Sequence, residues 1–187
     1  MPRARIVDMQ WDVDRQDKQG LLRAAIAQLL PELRAAARLL TASRAEADDL
    51  VQEAVLRMLR GLDGFVLNPE HDGDVNAALR PWGMTVLRNT FREAWRRHKR
   101  ERLHLETQPA EEEGRSGGQE TVGRMRDLTR ALGSLPPALR EALVLVGAQG
   151  LSHEEAARIC KVPVGTMKAR VSRARRQLAD TLDPVMS

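Results

Sequence analysis

Residues 152–179, SHEEAARICKVPVGTMKARVSRARRQLA, leave few folds open, because the start, break and restart of a helix are each set by residue chemistry. Ser152 and Glu155 form an S-x-x-E capping box, which starts a helix. Ala156, Ala157 and Cys160 give that helix a small-residue face for close packing. Pro163 bars its continuation, since proline lacks an N–H and restricts the residue before it. A second helix then places Met167, Val171, Ala174 and Leu178 on one stripe, the spacing that buries a single face. At about 100° per residue the opposite face carries Gly165, Ala169, Ser172, Arg173 and Arg176, flanked by Lys168 and Arg175. No carboxylate occurs from 161 to 179. A helix pair that is apolar inside and cationic outside is suited to a DNA major groove. A merely solvated basic face is the competing reading, and the cap, the proline turn and the missing acids together weigh against it.

The rest of the chain agrees with a helical architecture. Only 3% of the 187 residues are aromatic and none is tyrosine, and no segment alternates with period two. The cores must therefore be aliphatic helix-on-helix packing, and the expected fold is all-α. A formal net charge of +4 and a pI of about 9.9 suit a polyanionic partner without choosing one. Cys160 is the single cysteine, so no internal disulfide framework exists, and it reads as a small buried apolar residue. Without an apolar signal core or a run of about 18 apolar residues, a cytoplasmic protein with no membrane association is expected. His71, His98, His104 and His153 are scattered, so no catalytic group, metal or cofactor is expected and the chain does not read as an enzyme.

Two helical domains emerge, 21–103 and 125–187, with a mobile tail over 1–20 and a flexible acidic linker over 104–124. Residues 1–20 mix charges without a period. Beyond them Leu29, Leu33, Ala36, Ala37 and Leu40 share a face. A second capping box, Ser43 with Glu46, starts a helix over 45–62, which Gly61 and Gly64 close. Residues 66–78 read as a loop, and Pro81 opens a helix to about 102. The Glu111-Glu112-Glu113 run and the Gly/Ser-rich 114–118 cannot build a core. Helical order resumes over 125–132, and Pro136-Pro137 open another helix that ends near Gly147 and Gly150.

Two helix faces are not explained by folding. On 45–62 Leu56 lies outside the apolar arc, among Asp49, Gln52, Glu53 and Arg60, as the anchor of a protein–protein patch would. On 81–102 Met84, Leu87, Phe91, Ala94 and Trp95 point inward, which leaves Trp82, Thr85, Asn89, Arg92 and Arg96 outside, before the run Arg96-Arg97-His98-Lys99-Arg100. Cations track phosphates, while an exposed indole and an amide can stack on and bond unpaired bases. Packing in the core is the alternative for Trp82.

The segments DDLVQEAVLRML (48–59), LRPWGMTVLRNTFREAWRR (79–97) and LPPALREALVLVGAQGLSHEEAARICKVPVGTMKARVSRARRQL (135–178) resemble regions 2 and 4 of the extracytoplasmic-function (group IV) RNA polymerase sigma factors. The resemblance spans about 29–182, and LVGAQGLSHEEAA is most similar to the general stress response branch of alphaproteobacteria. It implies that Asp48, Asp49, Leu50, Gln52, Glu53 and Leu56 dock on core RNA polymerase (the β′ clamp helices and β). It assigns Trp82, Asn89, Thr90 and Arg92 to the −10 element, and the cationic helix end adds Arg96. It places Lys168, Ala169, Ser172 and Arg173 against the −35 major groove, with Thr166, Arg170 and Arg175 near phosphates, and Arg176 on the same outer face completes the −35 set. An anti-sigma factor that covers these faces is a further implied partner. The loop 66–78 is longer than is usual in the family, and Ala169 and Ser172 are small where some members carry larger readers. Two other functions compete: a stand-alone helix-turn-helix regulator, and a decoy that mimics a sigma factor toward an anti-sigma protein. The candidate polymerase patch argues against the first, and the two cationic faces against the second.

Overall fold

The computed structural model describes residues 4–65, 74–104 and 120–182, and every regular element among them is helical. α1 (Ala4–Leu40), α2 (Arg44–Gly61) and α3 (Val75–His104) form a first unit, with a short 3-10 turn, Leu62–Gly64, after α2. α4 (Glu120–Ser134), α5 (Pro137–Leu143), α6 (His153–Cys160) and α7 (Val164–Leu182) form a second. A π-type turn, Val144–Ala148, extends α5. Of the expected loop over 66–78 and linker over 104–124, residues 66–73 and 105–119 lie outside the described residues.

In the first unit, Leu29, Leu33, Ala36 and Ala37 of α1 meet Leu50, Val51, Ala54 and Met58 of α2, and Leu79, Met84, Leu87 and Phe91 of α3. Each fully buried Leu or Met contributes about 1.5–3 kcal/mol relative to an exposed one. Close packing also explains Gly83, because a Cβ there would stand 2.5 Å from Leu29 Cδ2 and 3.1 Å from Met58 Cε.

Three helix boundaries differ from those expected. α1 begins at Ala4, so most of 1–20 is helical and continuous with the packed part of α1. α3 begins at Val75, ahead of Pro81, because Asp74 caps it by accepting from the Asn76 and Ala77 amides at 2.9 and 3.2 Å. α4 begins at Glu120, inside the stretch expected as linker. The α2 cap is a variant of the box. The Glu46 amide donates to Ser43 Oγ at 3.2 Å, but the Glu46 carboxylate reaches the amide of Ala42.

The α6 capping box is complete, with Glu155 N to Ser152 Oγ at 3.1 Å and Ser152 N to Glu155 Oε2 at 2.8 Å. Lys161 ends α6 at φ 53°, ψ 51°, and the amides of Lys161 and Val162 return to the Arg158 and Ala157 carbonyls. Hydrogen bonds from Ser152 hold the Glu155 carboxyl below its ordinary value of 4.5. A depressed carboxyl stabilises the fold above its unfolded value, and that contribution is lost as pH falls through and below about 4.5. Ser152→Ala is therefore expected to cost about 1 kcal/mol at neutral pH and less under acid. Urea denaturation at pH 7 and pH 3.5 checks both statements, and equal losses at the two values would contradict the second.

Candidate nucleic-acid and protein interfaces

On α2, Asp48, Asp49, Gln52 and Leu56 are exposed, Leu56 to 40%. Glu53 is half-buried and accepts from Arg57 Nε at 2.7 Å, while Arg57 Nη1 reaches Glu93 of α3 at 2.6 Å. The hydrogen bond from Arg57 holds the Glu53 carboxyl below its ordinary value. Leu50 is only 6% exposed and belongs to the core, so it differs from the exposed members of this set, although it reaches the lining of the groove beside them. Leu59, also 40% exposed and one helical turn beyond Leu56, was not singled out from the sequence. Its i, i+3 spacing from Leu56 was the available signal.

Asp49, Gln52, Glu53 and Leu56 form one wall of a groove of about 1230 Å³. Phe91, Ala94 and Trp95 of α3 line it as well, and Gly133 and Arg140 approach from the second unit. Trp95 was expected to point inward, yet it is 38% exposed, with Lys99 Nζ 5.4 Å from its ring centroid. A cation over an indole face is a favourable electrostatic contact and keeps the ring at the surface. Burial holds the Arg140 guanidinium below its ordinary value. It donates to the carbonyls of Leu40, Gly133 and Leu135.

The candidate −10 residues separate into three groups. Trp82, Asn89 and Arg96 recur every seven residues and lie on one stripe of α3. Asn89 and Arg96 are exposed, whereas Trp82 is half-buried, tilted 46° against Phe65 at 5.0 Å and in close approach to Gly61. Trp82 thus has a packing role, with only part of the indole left at the surface. Thr90 does not share the stripe. It is 4% exposed, and its hydroxyl donates to the Val86 carbonyl at 2.9 Å. Arg92 lies beside the stripe, but its guanidinium binds Glu141 of α5 at 2.5 and 3.1 Å. That hydrogen bonding raises the guanidinium pKa above its ordinary value. Only part of the expected set therefore faces solvent together.

On α7 the expected phase holds. Met167, Val171 and Ala174 are buried and Leu178 is half-buried. Lys168, Ala169, Ser172, Arg173, Arg175 and Arg176 are exposed, with Thr166 and Arg170 half-buried at the flanks. None of these cations is ion-paired with another described residue. Cys160 lies behind α7, and burial raises its thiol pKa, so it stays a neutral packing group.

A helix with a polar face and an exposed leucine, a cationic helix with a partly exposed indole and a helix-turn-helix thus occur in that order on one chain. Residues 25–101 match Sigma-70 region 2, and residues 125–178 match Sigma-70, region 4. The ECF RNA polymerase sigma factor EcfG of Rhodopseudomonas palustris is 40% identical over 161 residues, covering 86% of this chain and 84% of that protein. The chain belongs to the ECF sigma factors. The ECF RNA polymerase sigma-E factor of Escherichia coli is 31% identical over 157 residues, covering 75% of this sigma factor and 76% of the relative. Among solved structures, the sigma factor RpoE of Bartonella quintana, in complex with the anti-sigma factor NepR, matches with a TM-score of 0.70 and 34% identity. That match covers 86% of this sigma factor and 95% of the other chain. As a sigma factor, the chain directs transcription by RNA polymerase. Among the described residues, no helix is long and apolar enough to cross a membrane.

Proposed function

We propose that this sigma factor docks on the β′ clamp helices of core RNA polymerase through α2, reads and opens the −10 element with α3, and reads the −35 element with α7. The observation that carries the promoter reading is the α7 face, where Lys168, Arg173, Arg175 and Arg176 stand exposed opposite the buried Met167, Val171 and Ala174. Unpaired cations on a groove-sized helix favour phosphates and base edges. Asn89, Arg96 and the exposed part of Trp82 supply a stripe suited to unpaired bases. The similarity to EcfG and to an RpoE held by NepR supports a stress-response role under anti-sigma control. The groove beside α2 is the site assigned to that inhibitor, because an occupant there would cover the polymerase-docking wall. Transcription in vitro with purified core polymerase on a randomised promoter library tests the reading. Initiation that depends on added protein and is enriched for one paired −35 and −10 sequence is the expected result.

The docking face makes a narrower prediction. Leu56→Ala is expected to weaken binding to core polymerase by about 1–2 kcal/mol, since a truncated interface anchor commonly costs that much. The side chain is substantially exposed, so helicity should not change. Titration of labelled protein with core polymerase, beside circular dichroism, provides the measurement. Unaltered affinity would remove Leu56 from the interface.

A further inference from the structure

The two units meet across a carboxylate with no exposed side-chain surface. Glu141 of α5 accepts from Arg92 Nε at 2.5 Å and Nη2 at 3.1 Å, and from Arg88 Nε at 3.1 Å. Both arginines belong to α3. Apolar groups from both units surround the carboxylate, among them Leu40, Met84, Leu87, Val144 and Leu145. A second bridge runs from Arg80, which binds Glu32 at 2.6 Å and the Gln149 carbonyl at 2.6 Å. A third runs from Arg140 Nη1 to the Leu40 carbonyl at 2.8 Å, at the end of α1.

This arrangement conflicts with simultaneous use of both DNA faces. α3 packs on α6, and α6 packs on α7. Two successive helix contacts at ~8–10 Å each place α3 and α7 about 20 Å apart. Elements centred near −10 and −35 are about 25 base pairs apart, on the order of 80 Å of duplex at ~3.4 Å per pair. The closed chain cannot reach both. It also ties Arg92, beside the −10 stripe, to a carboxylate where a phosphate would otherwise bind. Arg88 is held the same way, and its Nη1 reaches the Asn89 side chain at 3.1 Å.

We propose that Glu141 is an intramolecular latch: it competes with promoter DNA for Arg88 and Arg92 and holds the free sigma factor closed until the units separate. The physical basis is the asymmetry of buried ion pairs. Formed, such a pair adds little net stability, because both partners lose hydration; with one partner removed, the uncompensated charge is strongly unfavourable in the interior. Glu141→Gln leaves two guanidiniums facing a neutral amide in an apolar seam, and separation of the units restores their hydration. The shape of the side chain is retained, so α5 keeps its own packing on α7. Docking on polymerase would then stabilise the separated form by binding it in preference to the closed one. The proposal rests on the promoter-reading function given above.

The test uses the full chain. Small-angle X-ray scattering and amide hydrogen exchange are measured for the natural protein, for Glu141→Gln and for the double variant Arg88→Gln, Arg92→Gln. A compact chain of this length has a radius of gyration of about 16 Å, and both variants are expected to exceed the natural protein by roughly a fifth of that value. Protection of 86–92 and 139–146 should fall about tenfold, while that of 47–58 stays unchanged. Binding of the variants to a −35 duplex without polymerase should tighten. Unchanged scattering and protection in variants that retain their helicity would overturn the latch, as would a natural protein already as expanded as its variants. If Glu141→Gln fails to fold, the arginine pair decides, since those side chains sit half-buried on the other unit. Loss of transcription by the natural protein with core polymerase would instead count against the sigma reading, whatever the scattering shows.

Discussion

Leu33→Ala is expected to destabilise the first unit by about 2–5 kcal/mol, the usual cost of truncating a fully buried leucine to alanine. Leu33 has 0% exposure and lies in the core where α1 meets α2 and α3. One turn along the same face of α1 stand Ala36 and Ala37, short side chains that cannot swing into a void. The upper half of the range therefore applies. Urea denaturation followed by circular dichroism measures it, and a loss below about 1 kcal/mol would mean that the three helices close over the site. Leu33 faces neither the α2 wall nor the α7 face, so transcription at low temperature should survive and fail on warming.

Arg173→Ala is expected to remove a base contact worth about 1–3 kcal/mol if its guanidinium is bidentate to guanine, an approximately 5- to 150-fold loss confined to one position of the −35 element. Arg173 is exposed on the outer face of α7, and its Nε rests 3.3 Å from the Ala169 carbonyl, along the helix toward its N-terminus. The N-terminal part of a recognition helix is the part that enters the groove. Arg175 lies two residues on, about 200° around the helix, and by the proposed docking it is expected at the backbone. Arg175→Ala should weaken all sequences alike and lower the salt slope by about one unit. Affinities across a randomised −35 library at several salt concentrations separate the two outcomes. An exchange of the two behaviours would mean that α7 enters the groove in another rotational phase.

The helix-turn-helix was legible because its determinants are local. Ser152, Glu155 and Pro163 act on neighbours within a turn or two, and the Met167, Val171, Ala174 stripe has a single helical reading. The start of α3 was less legible. Pro81 suggests a first turn, but Asp74 provides a cap seven residues earlier. Residues 4–20 carry charges without a stripe, so their helicity has no amphipathic signature to find. The misplaced Trp95 shows a different limit. Its angular position lies at the edge of the buried arc, and Lys99, one turn away, holds the ring at the surface. Thr90 was assigned through resemblance, and its hydroxyl is occupied by the helix backbone. The Glu141 contacts were beyond any local pattern, since they join positions 49 and 53 residues apart.

Every Trp and Phe of this protein, Trp11, Phe65, Trp82, Phe91 and Trp95, lies within residues 1–95, and the helix-turn-helix has none. Near-ultraviolet absorption and emission are therefore properties of one unit, and melting of the other is optically silent beyond the peptide bands. Within the emitting unit the chromophores differ in environment. Trp82 is packed against Phe65, whereas Trp95 lines the groove beside the α2 wall, under the Lys99 ammonium. An occupant of that groove would strip water and the lysine from the Trp95 indole and shift its emission to the blue. The chain thus carries an intrinsic, label-free optical probe of whatever enters the groove, and DNA bound only to α7 leaves that probe dark.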